Sequence, residues 1–206
     1  MLKVALTGGI ATGKSHVLAR MRQRGIPTID ADDVVHAAFG TGTSTTRAIA
    51  NEFGPAVLQP DGSVNRGILG EKVFTDGDAR ARLEAIVHPM VYETIRDWFA
   101  RGEWPIGVAS IPLLYETHRA RDFDLVVVTA CTPEQQLDRL LRRGLPEADA
   151  RARLAAQMPT LDKVMLADYV IRTIGTPAET DKEVDELVDK LTHRASRPST
   201  VDGRQS

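Results

Sequence analysis

A glycine-rich segment near the amino terminus has the residue types and spacing of a phosphate-binding loop. It reads Gly8-Gly9-Ile10-Ala11-Thr12-Gly13-Lys14-Ser15 and matches the pattern G-x-x-x-x-G-K-[ST]. Glycines allow backbone N–H groups to turn inward and to approach phosphate oxygens closely. Lys14 would bring a positive charge to the β- and γ-phosphates, and the hydroxyl of Ser15 would bind Mg²⁺. The segment therefore predicts a nucleoside triphosphate site.

The elements around this segment are those that a phosphate loop requires. Residues 3–6 predict an apolar strand before it, and residues 14–24 predict a helix after it that Gly25 closes. This helix would direct the positive end of its dipole at the bound anion. The N-K-x-D motif with which GTPases read guanine is absent from the chain, which favours ATP but does not exclude GTP.

Three carboxylates follow the second predicted strand, residues 26–29. They are Asp30, Asp32 and Asp33. Ligands of parallel sheets bind at the carboxyl ends of the strands, and the phosphate loop leaves the first strand at that same edge. A carboxylate there could accept the proton of an attacking hydroxyl, although Asp also caps helices. The residues alone leave open which of the three would act as the base.

Apolar strand signals alternate with helix signals along most of the chain. Further strands are predicted at residues 106–109, 125–129 and 169–171, and further helices at 133–143 and 179–193. Apolar strands without polar alternation, separated by helices, predict an α/β fold with a parallel sheet of about five strands and helices on both faces. The mostly helical stretch 31–102, with turns at 40–42 and 60–62, breaks the alternation and is interpreted as an insertion.

Composition excludes several classes of protein. The 206 residues are 42% hydrophobic and 26% charged, which is typical of a folded globular chain. The net charge of -2 provides no field that would attract nucleic acid or an anionic membrane, and we expect neither as a partner. The single cysteine, Cys131, excludes an internal disulfide, predicts a buried and inert thiol, and fits a cytoplasmic location.

Segments in a fixed order resemble the dephospho-CoA kinase family. The phosphate loop and Ile29-Asp30-Ala31-Asp32 come first, and the others are residues 62–66 with Leu69 and Phe74, His88-Pro89, residues 112–116, Arg139 with Arg143, residues 155–157, and Ala167-Asp168. Together they extend over residues 1–193. The resemblance implies a three-layer P-loop kinase fold with a helical substrate-binding insertion and a lid.

The same resemblance implies a reaction and the residues that carry it. ATP, with Mg²⁺ at Ser15, would phosphorylate the ribose 3′-hydroxyl of dephospho-CoA and give coenzyme A and ADP, the last step of coenzyme A synthesis. Asp32 would be the base, and Lys14 and Arg139 would assist the transfer. The expected nucleotide-binding residues are Gly9, Ile10, Ala11, Thr12, Gly13, Lys14, Ser15, His16, Arg139 and Arg143. The expected substrate-binding residues are Asp32, Arg66, His88, Pro89, Leu113 and Glu116. For two of them an alternative stays open: Arg66 could stabilise the helical insertion instead, and Glu116 could contact Mg²⁺.

An arginine-rich stretch is the candidate lid. It contains Arg139, Arg142, Arg143, Arg151 and Arg153, and the only acidic residues between positions 139 and 153 are Glu147 and Asp149. Closing over ATP, such a segment would supply positive charge and exclude water. The alternative is a solvated pair of arginine-rich helices.

We expect one kinase domain, a monomer or weak oligomer, over residues 1–195. Its nucleotide-binding core would comprise residues 1–30, 105–135 and 165–195, its insertion about residues 31–104, and its lid about residues 139–158. A disordered tail is expected at 196–206, which has one apolar residue. The runner-up function is another small-molecule kinase, and a nucleotide-dependent switch is a rival from a different class.

Two departures from the family pattern bear on the nucleotide site. Ala11 and Thr12 replace the usual glycine and serine of the loop, and alanine is tolerated there unless the position needs a positive φ. Arg172-Thr173-Ile174-Gly175 stands where the family has an asparagine-rich turn.

Overall fold

Five strands form a parallel sheet in the computed structural model, which describes residues 1–196. The strand order across the sheet is β2-β3-β1-β4-β5. The strands are β1 (Leu2–Gly8), β2 (Thr28–Asp30), β3 (Ile106–Ser110), β4 (Leu125–Ala130) and β5 (Tyr169–Arg172). The parallel α/β sheet predicted from the sequence is confirmed.

Strand β1 lies at the centre of this sheet. It pairs in parallel with β3, where Leu2 faces Ile106, and with β4, where Val4 faces Leu125. The residues of β1 from Val4 onward are buried, as are all five residues of β3. Because both faces are covered, these strands need apolar residues at successive positions rather than at alternate ones. Gly8, where β1 ends, is also the first residue of the phosphate loop.

The helices of the described chain follow the capping signals in the sequence. They are α1 (Lys14–Gln23), α2 (Ala31–Ala38), α3 (Ser44–Phe53), α4 (Arg66–Thr75), α5 (Gly77–Arg101), α6 (Pro133–Arg142), α7 (Glu147–Ala155), α8 (Thr160–Met165) and α9 (Pro177–Ala195). Helices α6 and α9 each begin with a capping box and a proline in the first turn. None of these helices combines the length and the apolar content that crossing a bilayer requires.

The chain forms two compact units, each with its own core. Among the described residues, 1–28 and 102–196 make the first unit, and Ile29–Arg101 makes the second. The buried residues of the first core come from the sheet and from α1 and α9, and they include Val4, Leu6, Val17, Leu18, Met21, Val108, Val127, Ile171, Val184 and Leu187. The second core contains Ile49, Val57, Val64 and Leu69.

Several predicted boundaries differ from the structure by one or two residues, and two of these differences have a clear local cause. Strand β2 was expected at residues 26–29 but spans Thr28–Asp30, because the Ile26 N–H donates to the Met21 carbonyl and still belongs to the end of α1. Helix α9 was expected from residue 179 but begins at Pro177. The Thr176 side chain accepts from the Glu179 N–H and so sets this earlier start.

Proline is favoured in the first turn of a helix, so His88-Pro89 predicts a helix start at this pair. The structure shows that this prediction is wrong. Pro89 lies inside α5, whose start is capped by Asp76, which accepts from the N–H groups of Asp78 and Ala79. An interior proline costs about 3 kcal/mol because it removes a hydrogen bond and crowds the preceding turn. The buried face of α5 continues on both sides of Pro89, from Val87 to Val91, and its packing offsets that cost.

The predicted tail begins where the description of the chain ends. Ser196 caps the end of α9, and its N–H donates to the Thr192 carbonyl. Residues 197–206 lie outside the described residues.

A ladder of side-chain hydrogen bonds joins α1 to α9. His16 and Arg20 of α1 and Arg24, which caps the end of α1, are spaced by four and contact Asp181, Asp185 and Asp189 in turn, each at 2.8 Å. Hydrogen bonds from Arg20 and Arg24 lower the pKa of Asp185 to about 2. The ladder therefore fixes the helix that follows the phosphate loop against the last helix of the fold.

We expect Asp185 to make stability depend on pH in the acid range. Because its pKa is lowered from 3.8 to about 2 on folding, its contribution is complete above about pH 4 and is lost as the pH falls toward 2. Asp185→Asn should lower Tm at neutral pH and lessen the fall in Tm between about pH 5 and pH 2.5, measured by circular dichroism. Asp138→Asn, which breaks an exposed pair with Arg142, is the control. An identical acid response in Asp185→Asn and wild type would contradict the prediction.

Candidate functional site

The phosphate loop, residues 8–15, takes two left-handed backbone conformations between β1 and α1. Gly13 has a φ of 88° and caps α1, so the N–H groups of His16 and Val17 return to its carbonyl. Ala11 has a φ of 60°, and its position is therefore one that needs a positive φ. The methyl group of alanine makes this conformation cost about 1 kcal/mol.

The inner side of the loop presents donors to an anion. The backbone N–H groups of Ala11, Gly13 and Ser15 find no acceptor among the described residues. They surround the start of α1, where the helix dipole adds positive potential. Lys14 is the first residue of α1, and the side chain of Ser15 is exposed beside it. This arrangement can bind phosphate groups.

The outer side of the loop is held first at Ile10. The Ile10 N–H donates to Gln157 Oε1 at 2.9 Å, and the Ile10 carbonyl accepts from Gln136 Nε2 at 2.6 Å. Gln136 is buried on α6, and its own Oε1 accepts from Thr160 Oγ1 at 3.1 Å. Two glutamine side chains thus bind both polar backbone groups of one loop residue.

The next two carbonyls of the loop are bound by Arg139 and Thr173. Arg139 donates from one amino group to the Ala11 carbonyl and to Thr173 Oγ1, each at 3.1 Å, and from the other to the Thr173 carbonyl. Thr173 Oγ1 donates to the Thr12 carbonyl at 2.8 Å. The residue that stands in place of the family's asparagine-rich turn therefore supports the loop from outside.

A buried ion pair lies behind the segment that carries Gln157. Lys163 of α8 is fully buried, and its Nζ lies 2.8 Å from Glu116 Oε1 and 3.0 Å from the Pro112 carbonyl. The Met158 N–H donates to the same carboxylate at 3.1 Å. Glu116 therefore has partners within the first unit. Leu113, also expected to touch substrate, is half-buried in the turn after β3, and its carbonyl accepts from Thr117.

A cavity of about 410 Å³ opens beside the loop within the first unit. Its lining includes Ile10, Cys131, Leu154, Gln157 and Leu161. Cys131 is buried, as expected, and burial raises the pKa of its thiol. The thiol is therefore protonated at neutral pH and is a poor nucleophile.

The three aspartates after β2 have different roles in the second unit. Asp30 is the N-cap of α2, and its Oδ1 accepts from the Asp32 N–H at 3.0 Å. Asp32 and Asp33 are exposed in the first turn of the helix. The carboxylate of Asp32 has no hydrogen-bond or ion-pair partner in residues 1–196. The cap therefore occupies Asp30 and leaves Asp32 accessible.

The other predicted substrate residues of the second unit lie on α4 and α5. Arg66 is the first residue of α4, and its guanidinium lies 5.4 Å from the centre of the Phe39 ring. His88 is half-buried and makes an edge contact with Tyr92, with 6.5 Å between ring centres. Pro89 is exposed beside it on α5.

The remaining residues predicted to bind nucleotide or to belong to the lid lie on α1, α6 and α7. His16 faces Asp181 on α9. Arg142 and Arg151 pair with acids four residues earlier, Asp138 and Glu147, as expected for solvated helices. Arg143 caps the end of α6, is exposed, and has no side-chain partner within the described part of the chain. The lid at residues 139–158 remains a prediction.

Comparison with known proteins identifies the family. The family model for dephospho-CoA kinase matches residues 2–179. The chain belongs to the dephospho-CoA kinase family. The dephospho-CoA kinase of Anaeromyxobacter dehalogenans is 44% identical over 195 residues, which are 93% of this chain and 92% of that protein. That of Streptomyces avermitilis is 42% identical over 200 residues, 96% and 98% of the two chains.

A solved structure agrees with this assignment. Dephospho-CoA kinase from Campylobacter jejuni superimposes with a TM-score of 0.69 at 25% identity, over 93% of this chain and 98% of that chain. The expected P-loop kinase fold is thereby confirmed, and the chain is a kinase. Its membership in the dephospho-CoA kinase family also confirms the resemblance read from the ordered motifs.

The sequence marks only some of the residues that shape this kinase site. Gln136 and Leu140 are both buried and lie four apart on α6, so helical spacing could have shown that Gln136 faces inward. Nothing in the sequence marks Lys163 as buried, because its partner Glu116 lies 47 positions earlier. In the sequence, Thr173 differs from the family's asparagine-rich turn, but nothing there marks it as a partner of the loop.

We expect Gly13→Ala to weaken nucleotide binding as well as folding. An alanine at position 13 would have to keep a φ of 88°, which strains the loop. Its Cβ would lie 3.2 Å from Thr173 Cγ2 and would displace the side chain that binds the Thr12 carbonyl. The left-handed conformation alone costs roughly 1–2 kcal/mol. Calorimetric titration with ADP and thermal unfolding would separate the two effects.

Gly25→Ala is the matched control for this prediction. Gly25 has a φ of 78°, and a Cβ there meets no atom within 4 Å. The control should lose similar stability and keep the wild-type ADP affinity. Unchanged ADP affinity in Gly13→Ala would show that the geometry of Gly13 does not shape the phosphate site.

Proposed function

We propose that this chain transfers the γ-phosphate of ATP to the ribose 3′-hydroxyl of dephospho-CoA, giving coenzyme A and ADP. The observation that carries the proposal is the family match over residues 2–179, which includes an intact phosphate loop. The inward N–H groups of that loop supply the anion-binding half of such a site.

In this reaction the hydroxyl oxygen of the acceptor attacks the γ-phosphorus. The bond from the γ-phosphorus to the β–γ bridging oxygen breaks, and the hydroxyl loses its proton. Positioning and charge neutralisation supply most of the rate in such transfers. Lys14 and the loop N–H groups would hold the phosphates. Arg139 uses three of its five N–H groups within the protein, so two remain to donate to the nucleotide.

Asp32 is the proposed base. Asp30 is already committed to capping α2, whereas the carboxylate of Asp32 is exposed and accepts no hydrogen bond from the described residues. A carboxylate in this state can take the proton of the 3′-hydroxyl as the bond to phosphorus forms. Arg66, His88, Pro89 and Leu113 are proposed to contact dephospho-CoA.

Ser15 fits a role in binding Mg²⁺. Its side chain is exposed at the start of α1 beside the anion-binding N–H groups. Among the described residues, no three His, Cys, Asp or Glu side chains could hold a metal ion together. This suits Mg²⁺, which keeps several waters and binds through few protein oxygens and substrate phosphates. Bound there, the ion would neutralise charge on the β- and γ-phosphates.

The proposed reaction predicts ADP release that depends on the acceptor. In a coupled assay with Mg-ATP, the purified chain should release ADP when dephospho-CoA is present and should form coenzyme A in equal amount. Adenosine and nucleoside monophosphates are the control acceptors. Turnover with one of these and none with dephospho-CoA would instead assign the chain to another small-molecule kinase.

Asp32→Asn should lower kcat by about a hundredfold or more, because the proton acceptor is lost. Its KM for ATP should change little. Asp33→Asn, in the same helix turn, and Asp30→Asn, which keeps a good N-cap, are the matched controls and should retain most of the activity. A large loss in either control, with Asp32→Asn still active, would move the base to that residue.

Ser15→Ala should raise the Mg²⁺ concentration that half-maximal activity requires, because one protein ligand is removed. Assays over a range of Mg²⁺ concentrations at saturating ATP would measure the shift. Thr180→Ala is a control, since Thr180 is a hydroxyl residue on α9 whose side chain donates to the Thr176 carbonyl. The same Mg²⁺ dependence in Ser15→Ala and wild type would exclude Ser15 as a ligand.

A further inference from the structure

We propose that the buried Glu116–Lys163 ion pair positions the phosphate loop, and that it acts through Gln157. The inference rests on the proposed function only in that the loop binds the phosphates of ATP. It assigns Glu116 and Lys163 as positioning residues, which do not touch substrate.

Stability alone explains this ion pair poorly. The side chain of Lys163 is fully buried and that of Glu116 is 22% exposed. The cost of removing two charges from water often exceeds their mutual attraction, so a well-packed apolar pair is commonly as stable or more so. In addition, Glu116 Oε2 is buried and has no hydrogen-bond partner in the described structure. A costly polar pair at this place indicates a role in geometry.

The pair fixes both ends of a short segment. Glu116 Oε1 accepts from the Met158 N–H at 3.1 Å, and Lys163 lies five residues further along the chain. Lys163 Nζ also donates to the Pro112 carbonyl, which accepts from Thr7 Oγ1 at 3.2 Å. Residues 158–163 are therefore bound to the turn after β3, and that turn is bound to the end of β1 just before the loop.

This segment in turn holds Ile10 of the loop. Gln157, adjacent to Met158, accepts from the Ile10 N–H. Thr160 donates to Gln136, which donates to the Ile10 carbonyl. Ile10 precedes Ala11, whose left-handed backbone is strained and needs such support. If residues 157–160 shifted, Ala11 would relax and its N–H would turn away from the phosphate position.

The test is a double-mutant cycle read by ADP affinity. One arm is Glu116→Leu with Lys163→Met, which replaces the ion pair by apolar side chains. The other arm is Gln157→Ala. Each should weaken ADP binding about fivefold to tenfold, the range expected when one neutral hydrogen bond is lost. Combining them should weaken binding little further, because the pair acts through Gln157.

Further readouts separate positioning from a purely structural role. The apolar pair removes the acceptor of the Met158 N–H and should lower Tm by several degrees, so ADP affinity is measured well below Tm, where all variants are folded. KM for ATP should rise, and KM for dephospho-CoA should stay constant. Glu186→Leu with Lys190→Met places the same substitutions on exposed sites of α9 and should leave ADP affinity unchanged.

Three results would overturn the inference. The inference is wrong if Gln157→Ala binds ADP as tightly as wild type, and this result is decisive even if the Glu116→Leu, Lys163→Met variant does not fold. If the fold-losses of ADP affinity in the two arms multiplied in the combined variant, the ion pair would not act through Gln157. A raised KM for dephospho-CoA with normal ADP affinity would assign Glu116 to direct substrate contact. Because ADP binding needs no acceptor, failure of the proposed reaction in wild type would be a separate result.

Discussion

The phosphate loop must direct its N–H groups toward an anion, and this one requirement governs much of the surrounding structure. Turning the N–H groups inward leaves carbonyl oxygens facing away from the ligand, where each needs a donor. Gln136, Arg139 and Thr173 donate to the carbonyls of Ile10, Ala11 and Thr12. These donors come from α6 and from the end of β5, so the loop depends on elements that lie far from it in sequence.

The rest of the first unit makes this loop rigid. Strand β1 is held on both sides by parallel strands, and α1 is held along its length by the ion pairs to α9. The loop therefore connects two elements that cannot easily move, and its strained residue, Ala11, stays in place because its neighbours are fixed. A flexible loop would have to order itself each time a nucleotide bound, and the entropy cost would weaken affinity.

The sequence predicts a feature well where the local backbone or ligand requires one particular residue type. The glycines and Lys14 of the loop, the apolar strands and the capping residues could be predicted because their reasons are local. The contacts of Gln136, Gln157 and Lys163 could not be predicted, even though helical spacing places Gln136 inward, because their partners in the loop and in the ion pair lie 47 to 147 positions away. The helix start predicted at Pro89 is wrong because the packing of α5 outweighs the local preference of proline for the first turn of a helix. The cap of α2 had to be seen to know that Asp30 is occupied, and the assignment of Asp32 rather than Asp33 as the base stays a prediction.

The central position of β1 in the sheet affects how the protein folds while it is being synthesised. The strand is synthesised first, but its neighbours in the sheet are residues 106–110 and 125–130, and the side chains that support the loop extend to Thr173. A growing chain on the ribosome therefore carries an apolar strand without its partners until β3 and β4 have been made. Such non-local pairing slows folding and leaves apolar surface exposed to other chains. Nascent copies of this protein are thus expected to need chaperones most before β4 has emerged, and to bind nucleotide only after Thr173 has been made.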